Sequence, residues 1–116
     1  MTRIPDTDRP LSEQELARQL GVSVRLLRRY ERVGLIRAER SEALVVYGPE
    51  QVRRAWSVVT LHRDLGVNLA GVEIILEMSE QLRGLRQQMA ELLRWLHEHR
   101  EVLRRALDED MGRTPR

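Results

Sequence analysis

Four arginines, Arg25, Arg28, Arg29 and Arg32, crowd into the run SVRLLRRYERVGLI, Ser23 to Ile36. A guanidinium carries a rigid fork of donors that matches phosphate oxygens and the O6/N7 edge of guanine. At helical spacing these arginines share one side, while Leu26, Leu27, Tyr30 and Val33 share the other. Two readings stand on spacing alone. The basic side lies on a polyanion, or it is a solvated face laced by ion pairs with Glu31 and Glu39. Other chemistry is scarce. Of the histidines, His97 and His99 are two apart and fall on different helix faces, and His97 with Glu101 lacks further ligands. No metal site is expected there, and Trp56 and Trp95 read as packing residues. No Ser-His-Asp constellation, phosphate loop or carboxylate pair stands out, so neither enzyme activity nor a cofactor is expected.

The composition sets the frame for that basic run. A length of 116 residues suits one small domain with an appended helix. Phenylalanine and cysteine are absent, so the core must be leucine, valine and isoleucine, and neither disulfides nor thiolate metal sites can form. Lysine is absent too, and the formal net charge is only +2. Residues 1–60 hold eleven arginines against eight acids, whereas 61–116 hold nine against ten. The basic excess is therefore local to the first half, which permits a nucleic-acid surface there. No apolar run approaches 18 residues and no leader pattern is visible, so no membrane association and a cytoplasmic setting are expected.

The elements that must position the arginines can be read in order. Residues 1–10 are expected to be a flexible arm. In LSEQELARQLG, Ser12 and Glu15 form a capping box, Leu16, Ala17 and Leu20 face inward, and Gly21 ends the helix. Ser23 caps the next helix and Gly34 stops it, which gives a helix-turn-helix. Leu35 and Ile36 are expected to leave as an extended pair, and ALVVY as a second strand, with RAERSE as a charged connection. Together they make a wing, whose candidate functional residues are Arg40, Leu44, Val45 and Tyr47. Pro49 opens a third helix with Val52, Ala55, Trp56, Val59 and Leu65 as its buried stripe, ended by Gly66. Asn68 caps a fourth, with Leu69, Val72, Ile75 and Leu76 inward. From about Ser79 to Asp108, Leu82, Leu85, Met89, Leu92, Leu96, His99, Leu103 and Ala106 recur three and four apart. That is a coiled-coil seam, roughly 45 Å long at the α-helical rise. The remaining chain is too short to cover it, so a second copy is the expected partner, with His99 as a polar register-setter. The expected organisation is mainly α: a winged helix-turn-helix domain over 11–78, a dimerisation helix over 79–110 and a tail over 111–116.

This order resembles the MerR family of bacterial transcription regulators. LLRRYERVGL is similar to the family's Leu-Arg-aromatic-Tyr-Glu-x-x-Gly-Leu run at Leu27, Arg28, Tyr30, Glu31, Gly34 and Leu35. ELARQLGVS is similar to its first helix and turn, and Tyr47 to the tyrosine closing its wing. LHRDLGVNLAGVEIIL looks most like the heat-shock repressor subgroup, HspR. The resemblance spans roughly Leu11 to Met78 and implies a DNA-binding dimer on an inverted repeat, with the second helix in the major groove. It implies DNA contacts from Ser23, Arg28 and Tyr30, and a phosphate contact from Arg63. Arg25 and Arg29 join these as candidates, Arg29 standing where the family often has an aromatic.

The likeness fails at one place. The family's wing carries an arginine that clamps the DNA backbone, and here Val45 occupies that position. A valine neutralises no phosphate. The related CbpM chaperone modulators also have an apolar strand here, and they bind the J-domain of a DnaJ-type co-chaperone. The second reading is accordingly a protein partner of the DnaJ/DnaK type, met by Glu39, Glu42, Val45 and Glu50.

Overall fold

A computed structural model describes residues 3–5 and 8–112. Residues 1, 2, 6 and 7 of the expected arm and 113–116 of the expected tail lie outside them. The chain divides into two compact units, one ending at Ile75 and the other beginning at Leu76. The fold is mainly α, a winged helix-turn-helix followed by a long C-terminal helix.

The first unit opens with β1 (Leu11–Ser12) and α1 (Glu13–Leu20). Ser12 does two things with one conformation. Its extended backbone (φ −67°, ψ 161°) is that of an N-cap, and its hydroxyl accepts from Glu15 N at 3.1 Å. The same extended backbone lets Leu11 and Ser12 pair antiparallel with Tyr47 and Val46. Two residues carry no readable alternation, so this strand is invisible in the sequence. The second helix, α2 (Val24–Arg32), is capped by Ser23, whose hydroxyl accepts from Leu26 N at 3.0 Å.

Gly34 ends α2 in the left-handed region at φ 85°. Gly34 N donates to Glu31 O at 3.0 Å and Leu35 N to Tyr30 O at 2.9 Å, a Schellman closure. This closure overturns the expected strand at Leu35–Ile36. It turns both side chains into the core, where both are buried. Side chains from the helix that follows serve the backbone here: Arg54 Nε donates to Leu35 O, and Arg37, the residue after the pair, donates its N–H to Gln51 Oε1 at 2.7 Å. The first wing strand is instead β2 (Glu39–Arg40), inside the stretch expected to be a connection. It pairs antiparallel with β3 (Val45–Tyr47), giving the sheet order β1-β3-β2. Val33 is also corrected. Expected inward, it is 50% exposed, because it is the cap where the chain reverses and Leu35 takes the buried place.

The third helix, α3 (Pro49–Val59), buries Val52, Ala55, Val58 and Val59, with Trp56 only half-buried. It runs into a π-helical turn, Thr60–Asp64, in which Leu65 N donates to Thr60 O at 3.0 Å. A π turn holds an extra residue and shifts the phase of everything after it. Leu65, expected in the buried stripe, is thereby 64% exposed.

Asn68 Oδ1 accepts from Gly71 N at 2.8 Å and begins α4 (Leu69–Glu98). Val72 and Leu76 are buried as expected, but Ile75 is 37% exposed and Leu69 half-buried. No break falls near Ser79: Met78, Ser79 and Glu80 include neither proline nor a left-handed glycine. The Asn68-capped helix and the expected long helix are one element. The interruption comes at His99, before α5 (Arg100–Gly112). There His99 Nδ1 donates to Trp95 O at 2.9 Å, and its ring stacks on Trp95 at 4.5 Å. A side chain that competes for a helical carbonyl in this way is a recognised cause of local helix distortion. In the second unit Leu82, Leu85, Met89 and Leu92 are more than half exposed, while Leu96, His99 and Leu103 are partly buried.

The closure at Gly34 supports both α2 and the wing. Replacing Gly34 by alanine is expected to cost about 1–2 kcal/mol, because a Cβ disfavours the left-handed backbone even in open space. Urea unfolding of the variant beside the native chain measures this.

Candidate nucleic-acid interface

The arginine side of α2 is exposed, as the spacing implied, while Leu27 and Tyr30 are buried and Leu26 half-buried. The four arginines are not equivalent. The side chains of Arg25, Arg29 and Arg32 make no hydrogen bond or ion pair among the described residues. Arg28 does: its Nε donates to Glu13 Oε1 at 2.5 Å. Glu13 is only 5% exposed and is the buried charged residue of the described core. Sequence reading missed it, although the signal was there. Glu13 stands at helical spacing with Leu16, Ala17 and Leu20, an acid in line with an apolar stripe.

Tyr30 is fully buried, and its hydroxyl lies 2.6 Å from His62 Nδ1. The two rings meet edge to face, 5.5 Å between centroids. Its side chain is thus inside the domain, holding α2 against the π turn, while the Ser23 hydroxyl is occupied as a cap. Burial pushes the Tyr30 phenol up, against the opposing pull of Arg63 and Arg29. Burial likewise pushes His62 below its ordinary value, helped by Arg29 and Arg63. Arg29 from α2 and Arg63 from the π turn therefore sit in one neighbourhood, both exposed and with no carboxylate bound to either among the described residues. Among the described residues no cluster of three metal-ligating side chains exists.

The wing differs in character. Arg40 grips both carboxylate oxygens of Glu31, through Nη1 to Oε1 and through Nη2 to Oε2 at 3.0 Å. This hydrogen bond holds Glu31 below the usual carboxylate range. Glu31, which one reading of the sequence paired with the α2 arginines, instead ties α2 to the wing. Tyr47 is buried, and burial with the nearby Glu31 and Glu13 carboxylates pushes its phenol up to about 12. Its hydroxyl has no hydrogen-bond partner of normal geometry among the described residues. Val45 and Val46 are half-buried, while Leu44 is 61% exposed at the tip, where Ser41 N donates to Leu44 O at 3.0 Å. Glu39, Glu42 and Glu50 are exposed.

A helix-turn-helix with a winged strand pair and a basic second helix defines a DNA-binding regulator class. The MerR HTH family regulatory protein model matches residues 12–79. The putative heat shock protein HspR of Streptomyces coelicolor (strain ATCC BAA-471 / A3(2) / M145) is 33% identical over 87 residues. That match covers 73% of this chain and 58% of the relative, so the chain spans less than two thirds of that protein's length. The chain belongs to the MerR family, and within it is similar to HspR, as the motifs at Leu27–Leu35 and Leu61–Leu76 implied. No helix among the described residues is long and apolar enough to cross a membrane.

The Tyr30–His62 contact gives a signed pH dependence. The folded state favours neutral His62, so its contribution is full above about pH 6.5 and is lost as pH falls towards its lowered folded value. His62→Phe should cost about 1–3 kcal/mol at pH 7.5, leaving the Tyr30 hydroxyl unpaired. It should also flatten the decline in stability between pH 7.5 and 5.5, which thermal unfolding across that range checks.

Proposed function

We propose that this chain is a dimeric, sequence-specific transcription regulator, a cytoplasmic repressor of stress or chaperone genes acting without catalysis or cofactor. One observation carries the reading: Arg25, Arg29 and Arg32 on α2 and Arg63 on the π turn are exposed cations without protein partners among the described residues. Such groups displace counterions from a phosphate backbone. With α2 in a major groove, Arg29 and Arg63 would position the helix on phosphates, and Arg25 and Arg28 would reach base edges. Ser23 and Tyr30 would serve by starting and seating that helix. The exposed seam from Leu82 to Leu92, continued by Leu96, His99 and Leu103, would join two copies, so that two recognition helices read an inverted repeat. The similarity to HspR supports the stress-gene target.

The wing supports a second reading. Its tip presents Leu44 beside exposed Glu39 and Glu42, while Arg40 is neutralised by Glu31. That apolar and acidic surface suits a basic protein helix, such as that of a J-domain, with Val45 and Glu50 at its margin.

Random-site selection followed by titration of the selected duplex separates the two. The regulator reading expects a defined inverted repeat, with Arg29→Ala weakening all duplexes alike and lowering the salt slope by about one. Absence of any preference over random duplex, with retention of a purified J-domain that Glu39→Arg and Glu42→Arg abolish, would replace it by the second. Leu92→Glu should convert a dimer to monomer in sedimentation equilibrium.

A further inference from the structure

We infer that Glu13 is a positioning residue for DNA reading, holding the Arg28 guanidinium so that its two Nη groups form a fixed fork for a guanine edge. This rests on the DNA-binding reading above. The pair joins two elements: Glu13 in the first turn of α1 and Arg28 in the middle of α2. The carboxylate is almost wholly buried, whereas the Arg28 side chain is 62% exposed. Only Nε meets Glu13; neither Nη group has a partner among the described residues. A guanidinium is planar, so a carboxylate that fixes Nε restricts the plane in which the Nη donors lie. The side chain then loses less freedom on meeting a base edge, and its orientation is set before contact.

Charge separates this arginine from its neighbours. Arg25, Arg29 and Arg32 carry unneutralised charge, which attracts any phosphate backbone irrespective of sequence. Arg28 with Glu13 is formally neutral. It adds little to long-range attraction and keeps directional donors, which suits discrimination between base pairs. Stability does not explain the arrangement. A carboxylate buried beside apolar groups and paired on one side only seldom holds a fold better than an apolar side chain of similar size would. Leu16, Ala17 and Leu20, in line with Glu13, show that this face of α1 accepts apolar groups.

The test compares the full chain with Glu13→Gln, Glu13→Met, Arg28→Ala and the Glu13→Gln/Arg28→Ala double variant. Each is titrated against the duplex selected by the native chain and against random duplex, with thermal unfolding alongside. Glu13→Gln and Glu13→Met should lose about tenfold in affinity for the selected duplex, the scale of one directional base contact. Random-duplex affinity should stay level or tighten, and the melting temperature of the Met variant should not fall. In the Arg28→Ala background, Glu13→Gln should change nothing further. The inference is overturned if both duplexes weaken together, if the loss persists without Arg28, or if the ratio between duplexes is unmoved. Should either Glu13 variant not fold, Arg28→Lys decides, since it keeps charge and removes the fork: an unchanged ratio overturns the inference. A native chain with no preferred duplex overturns the regulator reading and this inference together, whereas an intact preference insensitive to Glu13 overturns this inference alone.

Discussion

A phenol hydroxyl buried beneath an exposed helix is costly to leave without a hydrogen-bond partner, and at Tyr30 that partner is His62 at 2.6 Å. Much of the domain follows from this contact. The π turn at Thr60–Asp64 changes the phase of the helix by one residue and is where His62 sits. The same change of phase turns Leu65 outward and leaves Arg63 exposed near Arg29. One buried oxygen thus links the seating of α2, the irregularity after α3 and the grouping of two cations from separate elements.

Charge in this molecule is organised by pairing more than by number. With a formal excess of only +2, a fully paired surface would have little to offer a polyanion. Acids are instead placed against Arg9, Arg28 and Arg40, through Glu15, Glu13 and Glu31. Among the exposed arginines with no carboxylate partner, Arg25, Arg29 and Arg32 share α2 and Arg63 lies near Arg29 on the π turn. The wing, with its one tied arginine and its valine, contributes no free cation of that kind from β2 or β3.

What could be read from the sequence follows how local each interaction is. Caps at Ser12, Ser23 and Asn68 and the closures at Gly21, Gly34 and Gly66 depend on neighbours within a few residues, and all were legible. The arginine and leucine faces of α2 were legible from period alone. Leu35–Ile36 looked like a strand because apolar pairs do, and only the closure at Gly34, with Arg54 donating to Leu35 O and Gln51 accepting from Arg37 N, shows why it is a buried turn. Leu65 failed because a π turn leaves no mark in composition. Glu13 was the opposite case: its place on an apolar stripe was visible, but its partner lies fifteen residues away on another helix.

The outer strand β2 has a further consequence. It is two residues long, Glu39 and Arg40, both exposed and both charged. Apolar β3 lies between it and β1, and β1 passes directly into α1. Short, charged edges are a common means by which sheets avoid adding strands from other molecules. Leu44 to Val46 is the kind of apolar, β-branched stretch that seeds aggregation when a bare edge lies beside it. Glu39 and Arg40 thus give the outer side of this sheet an edge that disfavours the addition of further strands.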